Sequence, residues 1–359
     1  MTAAMSGTLP NLKDLDPPRL RERLAAGGVA AYRADQILAW LYARGVDDPR
    51  EMTDLALDLR ERLAAEWTTR ALETAELRRS ADGTRKAVLR AADGALVESV
   101  LIPDDDRVTL CLSTQVGCPL ACSFCATGKL GFTRNLTTAE ILDQVCRMRE
   151  ALGAGERITN VVFMGMGEPL LNLPAVLRAI RVLVHPRAFA LAGRRITVST
   201  AGLVPQIRPL LEGAPVNLAV SLHATTDALR DALVPLNRRF PLAALLGELR
   251  SLEAISPRRP VFFEYTLLGG VNDAPEDAER LLALLRGLPS KVNVIPVNPH
   301  PGSAYLAPDA GAIGRFLGVL ARGGMTVTLR RSRGADIDAA CGQLAAKGGA
   351  GSGSAGSDR

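Results

Sequence analysis

Hydrophobic residues near the start of the chain recur at the spacing of an α-helix. Ile37, Trp40 and Leu41 stand at positions i, i+3 and i+4 and would form one apolar stripe. Comparable stripes on either side predict several short helices, each with one buried face. We therefore predict a helical module over 17–83, preceded by a flexible lead over 1–16.

The spacing then changes to that of β-strands. Two apolar runs, 86–91 and 95–102, flank an Asp-Gly pair, which is a strong hairpin signal. They predict a β-hairpin extension over 84–107. Glu98 lies in the second run, where an ordinary edge-strand carboxylate is the simplest interpretation.

From Val108 onward, short apolar strands alternate with helical segments. This alternation is typical of parallel strands inside a layer of helices. Six such units and a final strand are fewer than the eight of a closed barrel. The predicted fold is therefore α/β, with a partial (βα)6 barrel over 108–344. The predicted strands are 108–113, 160–164, 195–199, 217–222, 261–267, 292–297 and 325–329.

Composition places the chain among globular proteins. Of its 359 residues, 47% are hydrophobic, yet no apolar run approaches the roughly 18 residues of a membrane span. The first residues lack the basic and apolar regions of a signal peptide, so we expect a cytoplasmic protein. A reducing compartment would keep its six cysteines available for chemistry. The Gly- and Ser-rich tail, 345–359, is predicted to be disordered.

The charge balance leaves the choice of partner open. The chain has 43 Lys and Arg residues and 38 Asp and Glu residues, which gives a net charge of +5. Several arginines stand in adjacent pairs, which could meet a phosphate backbone if the pairs share a face. Solvated surface arginines would give the same pattern.

Three cysteines lie within one short loop, at Cys118, Cys122 and Cys125. A structural zinc site normally takes four ligands, whereas this loop offers an uneven trio. An iron–sulfur cluster held by three thiolates would leave one iron open to another ligand. From spacing alone, a zinc loop or three buried thiols remain alternatives.

Polar residues also follow the predicted strands, where a parallel barrel gathers its chemistry. Glycines would let a ligand approach the backbone, and the side chains could hydrogen-bond it. These residues are Gly167, Glu168, Ser199, Ser221, Leu222, His223 and Asn298. Two more cysteines, Cys111 in the first strand and Cys341 after the last, could meet at the barrel mouth, although inert buried thiols are the commoner case.

Longer strings of residues closely resemble the RlmN/Cfr family of radical S-adenosylmethionine (SAM) RNA methyltransferases. The resemblance runs from the helical module to about Leu344. It rests on Val-Gly-Cys-Pro-Leu-Ala-Cys-Ser-Phe-Cys-Ala-Thr-Gly, Phe-Met-Gly-Met-Gly-Glu-Pro-Leu-Leu-Asn, Ser-Thr-Ala-Gly-Leu-Val-Pro, Ser-Leu-His-Ala-Thr, Leu-Val-Pro-Leu-Asn-Arg-Arg and Asp-Ile-Asp-Ala-Ala-Cys-Gly-Gln-Leu.

The resemblance implies a role for each candidate residue. The cysteine trio would hold a [4Fe-4S] cluster, and the strand-end residues named above would contact SAM. Cys341 would carry a methyl group, and Cys111 would be its transient disulfide partner. Glu98 would accept the C2 proton, a step for which Cys111 is the alternative. The helical module would be an accessory RNA-binding domain.

The implied activity is methylation of adenine C2 in 23S rRNA and tRNA, with two SAM molecules per turnover. A reduced donor such as flavodoxin or ferredoxin would supply electrons to a monomeric enzyme. Methylation at adenine C8, as in the Cfr branch, is the alternative within the family. A non-catalytic zinc-loop protein that binds RNA is the alternative from another class.

Overall fold

Twelve strands organise the part of the chain that the structure describes. The computed structural model describes residues 9–299 and 303–345. The strands are β1 (Leu72–Arg79), β2 (Arg85–Ala91), β3 (Leu96–Asp104), β4 (Arg107–Cys111), β5 (Gln115–Gly117), β6 (Phe132–Asn135), β7 (Asn160–Phe163), β8 (Ile196–Thr200), β9 (Asn217–Ser221), β10 (Val261–Leu267), β11 (Ser290–Pro296) and β12 (Val327–Leu329). Ten form one sheet in the order β1-β2-β3-β4-β7-β8-β9-β10-β11-β12, and β5 pairs with β6 separately.

Helices precede this sheet and connect its later strands. The α-helices are α1 (Pro17–Ala26), α2 (Arg33–Leu38), α3 (Leu57–Glu66), α4 (Ala126–Lys129), α5 (Thr138–Arg149), α6 (Leu173–Val184), α7 (Val204–Gly213), α8 (Asp227–Leu233), α9 (Leu242–Ser251), α10 (Pro275–Leu285) and α11 (Ala310–Arg322). A π-helical segment, Ala39–Arg44, continues α2. No helix among the described residues has the length and apolar character needed to cross a membrane.

The predicted partial barrel is confirmed. Strands β4 and β7 to β12 pair in parallel, each with the next, through helical connections. The sheet ends at β1 on one side and at β12 on the other, so the barrel is open. Apolar residues of these strands and of the flanking helices form the main core. The carboxyl ends of all the parallel strands therefore lie at one edge.

The N-terminal extension of the sheet has one strand more than predicted. The expected hairpin is present as β2 and β3, with Gly94 in its turn at a φ of 84°. However, β1 pairs antiparallel with β2 and lies inside the 17–83 segment assigned to the helical module. Most residues of β1 are exposed, so the strand lacks the apolar alternation that would have revealed it.

The prediction of a flexible lead is wrong for residues 11–16. Leu12 and Lys13 are buried in a 3-10 turn, and the backbone N–H of Leu12 donates to the carbonyl of Thr68. Asp16 caps α1 and also forms an ion pair with Arg181 of the barrel. Leu9 and Pro10 are exposed, and the carbonyl of Pro10 accepts the N–H of Thr68. Residues 1–8 of the predicted lead lie outside the described residues, as does the predicted disordered tail beyond Ala345.

A buried ionic cluster joins this segment to the barrel. The Lys13 ammonium lies 2.7 Å from Asp143 of α5 and 2.9 Å from Asp47. Burial acts to lower the pKa of Lys13, but negative charge on Cys146 and on the two carboxylates outweighs it, and the pKa is raised. The second oxygen of Asp143 accepts the N–H groups of Ala71 and Leu72, just where β1 begins. Asp143 thus fixes both the buried lysine and the first strand.

Replacing Asp143 by Ala should strip the fully buried Lys13 of its closest counter-charge and leave two buried N–H groups unpaired. We expect the free energy of unfolding to fall by about 3–5 kcal/mol, as when one partner of a buried ion pair is removed. Urea denaturation of Asp143→Ala measures this loss. Glu61→Ala breaks an exposed pair with Arg50 and should cost less than about 1 kcal/mol, so equal losses would contradict the assigned role.

Candidate active site

A cavity of about 170 Å³ opens at the carboxyl edge of the parallel strands. It brings together residues that are distant in the sequence but were singled out by their place after strands. Its lining includes Cys118, Cys122, Cys125, Gly167, Glu168, Ser199, Ser221, His223, Asn298 and Cys341. Leu222 lies between two lining residues and is itself fully buried.

Close backbone contacts fix both ends of the cysteine loop. Gly117 ends β5 with a φ of 74°, and a Cβ at this position would lie 1.9 Å from the carbonyl oxygen of Gly131. That same oxygen accepts the N–H of Cys118 at 2.7 Å. The residue before the first cysteine therefore has to be glycine. At the other end of the loop, the N–H of Ala126 donates to the carbonyl of Gly342, beside Cys341.

The electrostatics of the loop suit a cationic metal cluster. Burial raises the pKa of Cys118 to about 11, and it raises the pKa of Cys122 further, with neighbouring thiolates adding to both shifts. Within residues 9–299 and 303–345, no three His, Cys, Asp or Glu side chains converge closely enough to hold a single metal ion. The three thiols line the same cavity, and cysteine thiolates are the usual ligands of iron–sulfur clusters.

Glu168 faces the cavity from the turn after β7. One carboxylate oxygen accepts the N–H of Leu170 at 3.1 Å and the other accepts the N–H of Ala201 at 2.8 Å. Burial outweighs these bonds and raises the pKa of Glu168 to about 7. Gly167 has a φ of 100°, and a Cβ there would clash with Gln115 at 2.5 Å. The turn thus presents a desolvated carboxyl group that a bound ammonium group would stabilise in its ionised form.

His223 and Asn298 line the cavity as neutral hydrogen-bonding groups. Burial lowers the pKa of His223 to about 3, and its Nδ1 accepts the N–H of Thr266 at 2.9 Å. The Asn298 amide donates to the carbonyl of Cys341 at 3.2 Å, and its oxygen accepts the hydroxyl of Ser332. Asn298 therefore ties the end of one barrel strand to the segment that carries Cys341.

Cys341 and Cys111 differ in their access to the cavity. Cys341 is exposed and lines the cavity, whereas Cys111 is buried within β4. Burial raises the pKa of Cys111 to about 12, and negative charge on Cys341 raises it further. Burial raises the pKa of the Cys341 thiol as well, so both cysteines are protonated at neutral pH in this arrangement.

The structure does not bring Glu98 into this cavity. Its carboxylate forms an ion pair with the Lys86 ammonium at 3.0 Å and accepts the N–H of Ala345 at 2.8 Å. It lines a second cavity of about 260 Å³, together with Lys86 and with Asp338 and Ala345 on either side of Cys341. The segment that carries Cys341 therefore borders both cavities.

Two charged residues of the cavity were missed from the sequence. Glu264 of β10 is buried, and one of its carboxylate oxygens has no hydrogen-bond partner among the described residues. Arg330, just after β12, lies 4.0 Å from that oxygen. A lone carboxylate within an otherwise apolar barrel strand was a usable signal for Glu264. Arg330 stood among several paired arginines, so nothing in the sequence distinguished it.

An open parallel barrel with a three-cysteine loop at its carboxyl edge defines the class of radical SAM enzymes. The model of the Radical SAM superfamily matches residues 112–285, and that of the ribosomal RNA large subunit methyltransferase N-terminal domain matches residues 10–68. Members of the Radical SAM superfamily use a [4Fe-4S] cluster and SAM.

The relatives narrow the class to one family. The chain is 51% identical to the dual-specificity RNA methyltransferase RlmN of Anaeromyxobacter dehalogenans, over 95% of this chain and 93% of that protein. It is 50% identical to the same enzyme of Geobacter sulfurreducens, with equal coverage. A crystal structure of a radical SAM methyltransferase from Sphaerobacter thermophilus superposes with a TM-score of 0.88 at 47% identity, covering 94% of this chain and 100% of that one. The chain belongs to the RlmN family of radical SAM RNA methyltransferases.

Replacing Cys118 by Ala should remove one of the three thiolates and abolish stable cluster binding. The wild-type protein, purified without oxygen, should be brown and hold about four irons per chain, as a [4Fe-4S] cluster requires. Iron analysis and the visible absorption spectrum measure the loss in the variant. Cys146→Ala, at a buried thiol in α5 away from the cavity, should keep full iron content, and a brown Cys118→Ala protein would contradict the assignment.

Proposed function

We propose that this protein methylates C2 of adenine in 23S rRNA and in tRNA, with Cys341 as the residue that carries the methyl group. The observation that supports this most directly is the place of Cys341. It lines the same cavity as the three thiols of the cysteine loop and the polar strand ends. A methyl group held on its sulfur would therefore lie within reach of chemistry at the cluster.

In this proposal the cluster is held by Cys118, Cys122 and Cys125. When bound, the cluster and two SAM molecules per turnover supply one-electron chemistry and the methyl carbon. Glu168 receives the SAM ammonium group, for which its desolvated carboxylate is suited. The other proposed SAM contacts are Gly167, Ser199, Ser221, Leu222, His223 and Asn298.

A cysteine carrier suits the chemistry of the target. Adenine C2 is electron-poor and does not attack a methyl sulfonium as an ordinary nucleophile. Cys341 would first accept a methyl group from one SAM molecule. The one-electron chemistry supplied with the second SAM molecule would remove a hydrogen atom from this methyl group, and its carbon would bond to C2. Loss of one electron and of the C2 proton would leave RNA attached through a methylene group on the Cys341 sulfur.

Attack by the Cys111 thiolate on the Cys341 sulfur would form a disulfide and break the sulfur–carbon bond. The electron pair left on the carbon would take up a proton, which completes the methyl group and releases the methylated base. The attack requires a Cys111 thiolate, so its raised pKa has to be overcome at this step.

We assign Glu98 as the acceptor of the C2 proton, on the strength of the family resemblance. In the present arrangement its carboxylate is engaged by Lys86 and by the N–H of Ala345. Because Ala345 belongs to the segment that carries Cys341, we propose that this segment rearranges during the reaction so that Glu98 can reach a base attached to Cys341. The role of Glu98 therefore comes with a required rearrangement of the residues around Cys341.

RNA and a reduced electron-transfer protein are the proposed partners of this enzyme. The helical module would contact RNA through its polar side, because its apolar stripes are buried in the core. A reduced flavodoxin or ferredoxin would supply electrons, and the enzyme would act as a monomer in the cytoplasm.

Isotope tracing from methyl-labelled SAM tests the proposal. The label should appear on Cys341 before RNA is added and then in 2-methyladenosine after RNA is added, as measured by mass spectrometry of the protein and of the digested RNA. Cys341→Ser should lose both signals. Full RNA modification by Cys341→Ser would exclude the carrier role. Formation of 8-methyladenosine would show that the enzyme methylates C8 of adenine and not C2.

Replacing Cys111 by Ala should trap the intermediate, because no second thiol remains to release the RNA. We expect a covalent protein–RNA adduct that survives denaturing electrophoresis and is lost on ribonuclease digestion. The double variant Cys111→Ala/Cys341→Ser lacks the carrier and should form no adduct. Normal multiple turnover by Cys111→Ala would remove its assigned role.

A further inference from the structure

Arg230 of α8 is a fully buried arginine that no step described above uses. Its guanidinium lies beneath the ends of two barrel strands and is 0% exposed. Nε donates to the carbonyl of Leu222 at 3.0 Å, and Nη2 donates to the carbonyls of Ser221 at 3.0 Å and Ala201 at 2.7 Å. One side chain therefore fixes the backbone after β8 and after β9. These are two of the turns that border the cavity.

The positive charge of Arg230 has no carboxylate partner in direct contact. Within the described part of the chain it forms no ion pair, and Nη1 donates instead to the amide oxygen of Asn237 at 2.9 Å. The amide nitrogen of Asn237 in turn donates to Asp227 at 2.9 Å and to Asp231 at 2.6 Å. Asn237 thus stands between the guanidinium and the two nearest carboxylates. A buried charge of this kind is costly unless another counter-charge is near.

The cysteine loop would supply such a counter-charge once its thiols bind a cluster as thiolates. The N–H of Ser123 donates to the carbonyl of Leu233 at the end of α8, at 3.1 Å. Cys122 and Phe124 pack against a small apolar cluster that contains Leu233. Burial lowers the pKa of Arg230 to about 10, and negative charge on Cys122 is the largest influence that opposes this shift. The arginine therefore stays protonated at neutral pH. It holds the carbonyls of Ala201 and Ser221, which line the same cavity as the three cysteines of the loop.

We propose that Arg230 is a positioning residue with two effects: its hydrogen bonds hold the Ala201, Ser221 and Leu222 carbonyls in place for SAM, and its charge favours the reduced state of the cluster. Reduction adds one electron and one negative charge to the cluster, so a fixed cation nearby stabilises the product of that step. The inference rests on the cluster and SAM site proposed above. It also gives a role to Leu-Val-Pro-Leu-Asn-Arg-Arg, 233–239, because that string contains Asn237.

Two substitutions separate charge from geometry in the full-length protein with its cluster. Arg230→Met removes both the charge and the hydrogen bonds, whereas Arg230→Lys keeps the charge but cannot reproduce the planar fork of donors. Arg238→Met removes a cation from an exposed position of the same string and serves as the matched control. The measurements are iron content, the reduction potential from a dithionite titration followed by electron paramagnetic resonance, and the dissociation constant of SAM.

With full iron content, Arg230→Met should lower the ratio of reduced to oxidised cluster about tenfold at a fixed potential, a shift of about 59 mV for one electron. In Arg230→Lys, the ratio of reduced to oxidised cluster at the same potential should stay within about twofold of the wild-type ratio, because the charge is kept. The dissociation constant of SAM should rise at least about fivefold, because the fork of hydrogen bonds is lost. Arg238→Met should match the wild type in both measurements.

A wild-type potential in Arg230→Met would overturn the charge effect, and wild-type SAM affinity in Arg230→Lys would overturn the positioning effect. If Arg230→Met does not retain its cluster, Asn237→Asp replaces it, because a carboxylate against the guanidinium should also lower the potential. An unchanged potential in Asn237→Asp would then overturn the charge effect. A wild-type protein that binds no cluster would refute the proposed function itself, which keeps the two failures distinct.

Discussion

Parallel pairing of neighbouring strands is the constraint on which this site depends. Because β4 and β7 to β12 all run the same way, their carboxyl ends meet at one edge of the sheet. Residues as far apart as Glu168 and Asn298 therefore line a single cavity, and the cysteine loop joins them because it follows β4. A shift of one strand by a residue would turn its polar end residue away from the cavity. Packing in the barrel core, by fixing the register, thus determines the chemistry at its edge.

Burial shifts the pKa values of several groups that face the cavity. Burial keeps His223 neutral and raises the pKa of Glu168, Cys118 and Cys122. In such surroundings each negative charge needs a nearby positive one, and a cationic ligand is bound more strongly than it would be in water. The thiols and the carboxyl group are therefore arranged to become anions when cationic partners arrive.

Much of this could be predicted from the sequence, but only where the signal was local. The strands of the barrel, the cysteine loop and the glycine turn at Gly167 each depend on residues that are adjacent in the chain. Lys13 illustrates what could not be predicted, because a lysine in a polar lead is normally exposed. Its counter-charges, Asp47 and Asp143, are 34 and 130 residues away, and only the folded chain brings them together. Strand β1 was missed for a related reason: its partner β2 stabilises it through the backbone, which leaves little trace in its side chains.

The segment around Cys341 shows how the barrel controls a residue that lies beyond its last strand. The carbonyl of Gly342 accepts the N–H of Ala126, and the carbonyl of Leu344 accepts the hydroxyl of Thr127, both directly after the cysteine loop. On the other side, Lys86 donates to the carbonyl of Asp338 while also pairing with Glu98. The segment is thus anchored to the cysteine loop and to the N-terminal extension of the sheet. These bonds would transmit a change in the geometry of the cysteine loop to Cys341. In the proposed mechanism, binding of a cluster and placement of the Cys341 sulfur would therefore be structurally coupled.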